Sequence, residues 1–415
     1  MDQTTGTVNK KNAEIKIGVF GASRGGYYYN LLSANEHCEV VAVCDKNPDE
    51  TRRIEGLGTP VFRTFDEFLE KGKELGMNAV FLCNYFHQHA PFAIRAMEAG
   101  MDVVSECTAA GTLKDCVELV EAVERTGRKY LLGENYPFIP GLMKMSEIIG
   151  AGSLGSLLYA EGEYNHSSGP EETRQLAPYP SHWRLWRPRT YYITHSLGPV
   201  MYMTNSEPRY VSGRAAHSAL VYSQRDFRHN YDGAGMIFCE MTNGMMARCT
   251  GCTEMASDYT RYRVCGDLAA LEYGDHIDGL RMIYTDDAKP ADSEKAPRVP
   301  IEFDDPEMKR KVEEAQNAGH GGADYFVVET MVDYFLHDVK PFFDVYRGVA
   351  MSAAAILGWL SALNHGENMK VPDFRIKEER DLYRNDDRTP FPDENLQGIT
   401  LPCALPDWPG KDTES

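Results

Sequence analysis

The chain has 415 residues, of which 42% are hydrophobic and 25% are charged. It is therefore long enough for two folded domains and has the composition of a globular protein. Its 62 acidic residues against 43 Lys and Arg give a net charge of −19, which repels nucleic acids and anionic membranes. A small molecule is the expected partner, with no nucleic acid and no membrane.

Several features predict a cytoplasmic protein without a membrane span. Residues 1–14 are polar and lack the apolar core of a secretory signal, so we expect a polar tail. The most apolar stretch, 349–363, is shorter than the roughly 20 residues that span a bilayer and predicts a buried helix. The ten cysteines are spread through apolar runs, as core thiols are. Cys249 and Cys252 form a lone C-x-x-C without a second pair at zinc spacing, so no metal is predicted.

The first part of the chain alternates short apolar runs with helical patterns. The predicted strands are 15–20, 39–44, 79–83 and 102–105. Between such runs, residues 115–125 repeat valines at helical spacing and Gly127 follows as a stop. Buried parallel strands joined by helices predict a doubly wound α/β domain, a Rossmann fold, over residues 15–135.

Beyond Pro140 the pattern changes to longer runs with strand alternation. The predicted strands are 157–164, 210–216, 235–241, 245–250 and 262–264, which favour an open, mostly antiparallel sheet. Two helices, 323–336 and 345–363, are predicted to cover that sheet. Residues 136–370 are therefore predicted to form an α+β substrate-binding and catalytic domain. Residues 371–415, rich in Pro and Asp, are predicted to form an arm that packs on the protein.

The first predicted strand runs directly into a glycine-rich turn. The segment GASRGG at 21–26 has G-x-G-x-x-G spacing, with Ser23 at the middle glycine. Small residues there let backbone N–H groups and a helix N-terminus approach a pyrophosphate. Asp45, 24 residues after Gly21, is placed to accept from ribose hydroxyls and to repel the 2′-phosphate of NADP, so NAD is the predicted cofactor. A turn-capping role is the alternative for Asp45. The basic residues that could offset the repulsion are Lys46, Arg52 and Arg53.

The order of these motifs resembles the Gfo/Idh/MocA family of NAD(P)-dependent sugar and cyclitol oxidoreductases over most of the chain. The similar segments are VVAVCDKNPD at 40–49 and NYFHQHAPFAIRAMEAGMDVVSE at 84–106. The family fold is a Rossmann domain followed by an open-sheet substrate domain, which agrees with the pattern of elements. The glycine-rich turn and the family resemblance together imply a set of cofactor contacts. These are Gly21, Ser23, Arg24, Gly25, Gly26, Asp45, Asn84, His87, His89, Glu106 and Asn135.

Two positions depart from the oxidoreductases. Where they commonly carry Glu-Lys-Pro, with the lysine serving the substrate hydroxyl, this chain has Glu106-Cys107-Thr108. Where many carry an Asp four residues before a His, this chain has Tyr191 and His195. Because a thiol is mostly protonated at neutral pH, Cys107 is a poor substitute base and is expected to pack. The missing lysine argues against ordinary dehydrogenase chemistry.

Around these positions the chain resembles a narrower group, the NAD-dependent α-N-acetylgalactosaminidase family of glycoside hydrolases. The similar segments are ECTAA at 106–110, GEN at 133–135, AEGEYNH at 160–166, YITHSLGPV at 192–200 and GHGGAD at 319–324. The resemblance implies that Glu134, Tyr164 and His195 are catalytic. It also implies a further tyrosine from the later sheet, for which the candidates are Tyr259, Tyr262 and Tyr273.

The reaction that this resemblance implies is glycoside cleavage through transient oxidation at carbon 3, elimination, water addition and re-reduction, so that NAD is not consumed. His195 is the candidate base for the hydroxyl proton, unless it is a structural histidine. Tyr164 is the candidate for the carbon 2 proton, provided that a nearby cation lowers its pKa; sheet packing is the alternative. Net dehydrogenation by a sugar or cyclitol dehydrogenase and a non-enzymatic NAD sensor are the competing functions.

The segment HWRLWRPR at 182–189 gathers three arginines and two tryptophans in an otherwise acidic chain. Because indole faces stack on sugars and guanidinium groups bind carboxylates or sulfonates, Trp183, Arg184 and Arg187 predict a substrate site for an anionic sugar. The alternative is a rim of arginines paired with surface carboxylates. We also expect a homo-oligomer. The further substrate-binding candidates are Tyr191, Tyr192, His320 and Asp324, the last with helix capping as its alternative.

Overall fold

The computed structural model describes residues 13–167, 175–177, 182–217, 232–252 and 258–391. These residues form two compact units. Unit 1 contains the described residues of Met1–Gly111, Asp115–Gly133 and Ala315–Gly348. Unit 2 contains the described residues of Thr112–Lys114, Glu134–Glu314 and Val349–Ser415.

Strands and helices are numbered in chain order. The strands are β1 Ile15–Phe20, β2 Cys38–Cys44, β3 Val61–Phe62, β4 Ala79–Leu82, β5 Asp102–Ser105, β6 Tyr130–Leu132, β7 Leu157–Asn165, β8 Pro208–His217, β9 Asp232–Met241, β10 Met246–Cys252, β11 Tyr259–Gly266, β12 Ala269–Gly274, β13 Leu280–Tyr284, β14 Arg298–Val299 and β15 Met369–Lys370. The helices are α1 Ala22–Ala34, α2 Pro48–Glu55, α3 Phe65–Glu74, α4 His89–Glu98, α5 Leu113–Thr126, α6 Pro140–Gly150, α7 Thr194–Thr204, α8 Pro306–Ala315, α9 Ala323–His337, α10 Val345–Leu363 and α11 Lys377–Asp381.

Unit 1 is built on a six-stranded sheet in the order β3-β2-β1-β4-β5-β6, with every paired strand parallel. Ile17 and Val19 of β1 are fully buried, as expected for a central parallel strand. The strand order reverses between β1 and β4, and ligands bind at such a switch point beyond the carboxyl ends of the strands. The turn after β1 and the loop after β4 are therefore the expected ligand-binding segments of unit 1.

Helix α9 belongs to unit 1, although it lies about 190 residues after the last strand of that sheet. It packs against α1 and buries Phe326, Val327 and Met331. The sequence pattern predicts this helix correctly but assigns it to the antiparallel sheet. An amphipathic pattern shows that a helix has a buried face and does not show which partner covers it.

Unit 2 is built on a nine-stranded sheet in the order β14-β13-β12-β11-β7-β10-β9-β8-β15. Its paired strands are antiparallel except for β7 and β10, which run parallel. The predicted fold class, a Rossmann sheet followed by an α+β domain with a mostly antiparallel sheet, is confirmed. Helix α7 packs directly on β7, where a Cβ atom on Gly162 would lie 2.2 Å from the Ser196 carbonyl oxygen.

Helix α10 is the apolar segment that the sequence predicts to be buried. Among the described residues it is the one helix long and apolar enough to cross a membrane, and 89% of its most apolar window is buried inside the protein. It approaches β8 so closely that a Cβ atom on Gly213 would lie 1.9 Å from the Gly358 carbonyl oxygen. Such close packing against a sheet is typical of a core helix.

The two predicted terminal segments extend beyond the described residues, which begin at 13 and end at 391. Within the described part of the arm, the Phe391 ring lies 5.7 Å from the Tyr191 ring. Nine cysteines fall in the described ranges; all are thiols outside disulfides, and eight are buried. The described residues contain no group of three His, Cys, Asp or Glu side chains that could hold a metal ion.

Candidate functional site

The glycine-rich turn of unit 1 has the geometry that close approach of a ligand needs. Gly21 has φ +97°, and a Cβ atom there would lie 2.5 Å from the Cys83 carbonyl oxygen. A Cβ atom on Gly25 would lie 2.5 Å from Val19 Cγ1. Because α1 begins at Ala22, the N–H groups of Ser23 and Arg24 in its first turn have no partner within the helix and can bind an anion.

Asp45 lies beside this turn, just after the end of β2. Its Oδ2 accepts from the Ala22 N–H at 2.7 Å, and its Oδ1 accepts from the Asn47 N–H at 2.8 Å. The capping role is therefore present in the structure. Each carboxylate oxygen has a second acceptor site, so capping leaves Asp45 able to accept from ribose hydroxyls as well.

Asn84 lies in the loop after β4, at the switch point of the sheet. Both polar atoms of its side-chain amide are buried, and neither has a hydrogen-bond partner in the structure. Buried amides are nearly always hydrogen-bonded, so this side chain is suited to a ligand that supplies the missing partners. The tight glycine turn, the Asp45 carboxylate and the Asn84 amide together fit a dinucleotide.

Two histidines follow Asn84. His89 Nδ1 lies 2.8 Å from the Thr108 carbonyl oxygen, and its Nε2 lies 3.3 Å from the Asn84 carbonyl oxygen. Burial lowers the pKa of His89. Burial also lowers the pKa of His87 to about 4, and repulsion from the nearby His89 acts in the same direction. Both imidazoles are therefore neutral near pH 7, and His89 ties the loop after β4 to the segment after β5.

Arg24 is the centre of an ion network in unit 1. Its Nε donates to Glu106 Oε1 at 2.7 Å, and its two terminal nitrogens donate to the Asp324 carboxylate at 3.0 and 2.8 Å. His320 Nδ1 lies 3.0 Å from Asp324 Oδ2. Burial raises the pKa of Asp324, but the hydrogen bonds from His320 and Arg24 outweigh it and hold that pKa well below its ordinary value. The predicted substrate residues His320 and Asp324 thus join α9 to the turn that carries Arg24.

Replacing Asp324 with asparagine should lower the free energy of unfolding by about 3 kcal/mol at pH 7, because it breaks a buried ion pair and leaves one partner charged. The folded-state pKa of Asp324 lies below the unfolded value of about 3.9, so its stabilisation is present above that pH and is lost as pH falls through the folded pKa. Urea unfolding without nucleotide at pH 7 and pH 3 measures both effects. Asp49→Asn is the control, because the Asp49–Arg52 pair is exposed. Equal effects from the two variants would contradict the prediction.

Unit 2 contains a buried carboxylate–imidazole pair. Glu134 Oε1 lies 2.9 Å from His195 Nδ1 and also accepts from the Tyr136 N–H at 3.2 Å. Glu134 has no exposed surface, and His195 is 8% exposed. A carboxylate bound to Nδ1 fixes the tautomer and leaves Nε2 as the nitrogen that can accept a proton.

Close packing of α7 explains why this pair forms. His195 is the second residue of α7, and one turn later a Cβ atom on Gly198 would lie 2.7 Å from Glu134 Cγ. The buried Tyr262 hydroxyl donates to the His195 carbonyl oxygen at 2.5 Å. Of the three later tyrosines, Tyr262 is thus the one that contacts His195. Tyr259 lies 5.2 Å from the His276 ring, and Tyr273 packs under Gly141.

Three tyrosine rings surround the imidazole. The ring centres of Tyr136, Tyr164 and Tyr192 lie 4.4, 4.9 and 5.4 Å from that of His195. The Tyr164 hydroxyl is hydrogen-bonded to the hydroxyls of Tyr136 and Tyr192. Burial raises the pKa of Tyr164 well above its ordinary value, and the two neighbouring tyrosines add to the effect. Without a ligand, Tyr164 is therefore a neutral phenol, the reverse of the lowering that a base role requires.

The arginine segment adjoins this tyrosine cluster. The Arg187 guanidinium carbon lies 3.6 Å from the Tyr192 ring centre and 5.4 Å from the Trp183 ring centre. That of Arg184 lies 4.6 Å from the Trp183 ring centre. Burial lowers the pKa of Arg187 to about 9, and the nearby charges of Arg189 and Arg184 act in the same direction. Arg187 and Arg189 are buried, so the arrangement differs from a surface rim.

The structure differs from the sequence-based expectation at two tyrosines, of which Tyr191 is predicted from the sequence to bind substrate. Tyr191 is buried against Trp359 and Phe391, at ring distances of 5.8 and 5.7 Å, which is a core contact. Tyr136, which the sequence reasoning missed, stacks on His195. The one feature of the sequence that could have indicated Tyr136 is its position two residues after Glu134. In the structure it lies in the short 3₁₀ turn Tyr136–Phe138, which follows the buried Asn135.

Comparison with known proteins gives matches at both ends of the chain. Residues 15–134 match the oxidoreductase family with the NAD-binding Rossmann fold, Gfo/Idh/MocA. Residues 272–378 match the C-terminal domain of glycosyl hydrolase 109. A glycosyl hydrolase family 109 protein from Shewanella woodyi is 26% identical over 406 residues, which cover 89% of this chain and 86% of that protein. Another from Solibacter usitatus is 27% identical over 400 residues, covering 88% and 89%.

Among solved structures, an oxidoreductase domain protein from Kribbella flavida has a TM-score of 0.72 and 17% identity, covering 87% of this chain and 100% of that chain. At this identity the likeness shows the fold. The matches confirm the predicted resemblance to both groups, and with it an NAD-dependent carbohydrate enzyme.

Proposed function

We propose that this chain, which joins the NAD-binding Rossmann domain of the Gfo/Idh/MocA oxidoreductases to the C-terminal domain of glycosyl hydrolase 109, cleaves glycosides by transient oxidation at carbon 3 of the sugar. The observation that carries the proposal is the buried Glu134–His195 pair inside a tyrosine cluster. This set supplies proton acceptors in a chain that has Cys107 where related oxidoreductases have a lysine.

Unit 1 supplies the groups that would hold NAD. The first turn of α1 would bind the pyrophosphate, Asp45 the ribose hydroxyls, and the Asn84 amide a polar group of the cofactor. When bound there, NAD would supply reversible hydride transfer at carbon 3, so the net reaction would consume no cofactor.

Unit 2 supplies the groups that move protons. His195 Nε2 takes the proton of the carbon 3 hydroxyl, and the Glu134 carboxylate stabilises the imidazolium that results. Oxidation at carbon 3 would acidify the hydrogen on carbon 2, and the Tyr164 phenolate would accept that proton. The bond between carbon 1 and the leaving group then breaks by elimination, and water adds to the resulting enone, placing a hydroxyl on carbon 1 and a proton on carbon 2. Reduction restores the carbon 3 hydroxyl, so the paired carboxylates of ordinary glycosidases are not needed.

One assay tests the proposal. Purified protein is incubated with a panel of 4-nitrophenyl glycosides and a catalytic amount of NAD, and nitrophenol and absorbance at 340 nm are followed together. Many equivalents of nitrophenol without accumulating NADH are expected. Stoichiometric NADH without nitrophenol would establish net dehydrogenation instead. Binding of NAD without any turnover would favour the sensor.

We also propose that the sugar carries an anionic group, because Arg184 stacks on Trp183 next to the buried Arg187. Arg184→Ala should raise the KM for a carboxylated sugar at least about tenfold, since a charge-assisted contact contributes about 1.5–3 kcal/mol. The KM of a neutral sugar should change less. Arg209→Ala, an exposed position on β8, is the control. Equal effects on both sugars would mean that Arg184 is structural.

The free cysteines of the described residues favour a reducing compartment, so the proposed location is the cytoplasm. A homo-oligomer is proposed from the family resemblance alone. Cell fractionation and light scattering of the purified protein test these two points.

A further inference from the structure

Tyr136 makes three separate contacts with the groups that the proposed function uses. Its backbone N–H donates to Glu134 Oε1 at 3.2 Å. Its ring stacks on the His195 imidazole, with centres 4.4 Å apart and planes inclined by 26°. Its hydroxyl is hydrogen-bonded to the Tyr164 hydroxyl. One side chain thus touches both candidate proton acceptors, and its backbone N–H holds the carboxylate that contacts His195.

The same oxygen, Glu134 Oε1, receives the Tyr136 N–H and the His195 Nδ1 contact. The backbone bond therefore helps to fix the carboxylate oxygen that contacts the imidazole. The stacked ring limits rotation of His195 about its side-chain bonds, so Nε2 keeps one direction. The Tyr164 ring meets the Tyr136 ring edge to face, with centres 5.3 Å apart, and the two side chains are also joined through their hydroxyls.

We propose that Tyr136 is a positioning residue that holds His195 and Tyr164 in one fixed arrangement, so that the carbon 3 hydroxyl proton and the carbon 2 proton are handled at the same bound sugar. This inference rests on the proposed function. The ring of Tyr136 serves the step at His195, and the hydroxyl serves the step at Tyr164. The two contributions can therefore be removed one at a time.

Tyr136→Phe keeps the ring and the backbone bond and removes only the hydroxyl. It should slow proton exchange at carbon 2 about five- to tenfold, the loss expected for one hydrogen bond, and leave the hydride step unchanged. Tyr136→Leu also removes the stacked ring, so both steps should slow. Tyr202→Leu is the matched control, because Tyr202 is an α7 tyrosine that packs against Phe138 outside the cluster.

The two rates are measured on the 4-nitrophenyl glycoside that the wild type turns over. Deuterium entering carbon 2 in heavy water reports one step, and the transient in absorbance at 340 nm reports the other. A Phe variant that slows both steps equally, or neither, would overturn the assignment of the hydroxyl to Tyr164. A Leu variant with an unchanged hydride step would overturn the assignment of the ring to His195.

A measurement without substrate separates this proposal from the proposed function. The carbon-bound protons of the His195 imidazole lie under the Tyr136 ring, so their NMR signals, assigned by His195→Gln, should be shifted upfield by that ring. Tyr136→Phe should keep the shift, and Tyr136→Leu should abolish it. If no glycoside is turned over, the proposed function fails while this test still stands. An unchanged signal in the Leu variant would refute the stacking role.

Discussion

Glu134→Gln should lower kcat for glycoside cleavage by about 10³-fold or more while leaving the protein folded. The buried Glu134 carboxylate contacts His195 Nδ1 and so favours the tautomer that carries its proton on Nδ1 and leaves the Nε2 lone pair available. A glutamine amide can turn its NH₂ toward Nδ1, which favours the opposite tautomer and removes the charge that stabilises the imidazolium. The volume of the side chain hardly changes, so the loss should appear in kcat rather than in folding.

The measurement compares kcat and KM of Glu134→Gln, His195→Ala and the double variant on the same glycoside. Because the two residues act as a pair, the double variant should be little worse than either single one. His276→Gln, an exposed histidine of the same unit, is the control. NAD binding measured by calorimetry should stay at the wild-type level. Strictly additive losses, or a Gln variant with near-normal kcat, would show that the pair does not act as one base.

The dinucleotide turn could be predicted from sequence because it is local. Gly21 and Gly25 are required by contacts with residues of the adjoining strands, and Asp45 follows the neighbouring strand at a spacing that the fold fixes. Hydrophobic runs predict the strands for the same reason, since burial on both faces leaves a periodic record in the sequence.

The parts of the site that escaped prediction depend on packing between distant segments. Arg24 and Asp324 lie 300 residues apart, and nothing near either residue reveals the pairing. Tyr191 and Tyr192 are neighbours in sequence, yet the 3₁₀ turn Arg189–Tyr191 sends the first into the core while the second contacts His195. Tyr136 lies in a loop, where no periodicity marks the direction of a side chain.

The raised pKa of Tyr164 was also beyond sequence reasoning, because it follows from burial among other side chains. Burial stabilises the neutral form of the Tyr164 phenol, whereas the proposed carbon 2 step needs a proton acceptor. The Arg187 guanidinium packs against Tyr192, and the Tyr192 hydroxyl is hydrogen-bonded to that of Tyr164. The positive charge of Arg187 therefore favours the phenolate form of Tyr164. The competition between burial and this cation sets the pH at which Tyr164 can act.

Tyr164→Phe should therefore slow proton exchange at carbon 2 by about 10²–10⁴-fold, the range for loss of a general acid–base group, and slow the hydride step far less. Turnover in heavy water should place deuterium at carbon 2 alone, because the hydrogen of carbon 3 leaves and returns as hydride. Since the pKa of Tyr164 is raised, its phenolate fraction and the wild-type exchange rate should increase with pH above neutrality.

That rise with pH should be absent in Tyr164→Phe and present in Tyr202→Phe, a half-buried tyrosine outside the cluster. The other titratable groups around Tyr164 are Tyr136, Tyr192, His166, His195 and Arg187. The increase of the exchange rate with pH is therefore assigned to Tyr164 only if the Tyr192→Phe variant retains that increase. A cleaved sugar without deuterium at carbon 2 would rule out elimination. Equal slowing of exchange and hydride transfer in Tyr164→Phe would show that Tyr164 orients the sugar rather than moving the carbon 2 proton.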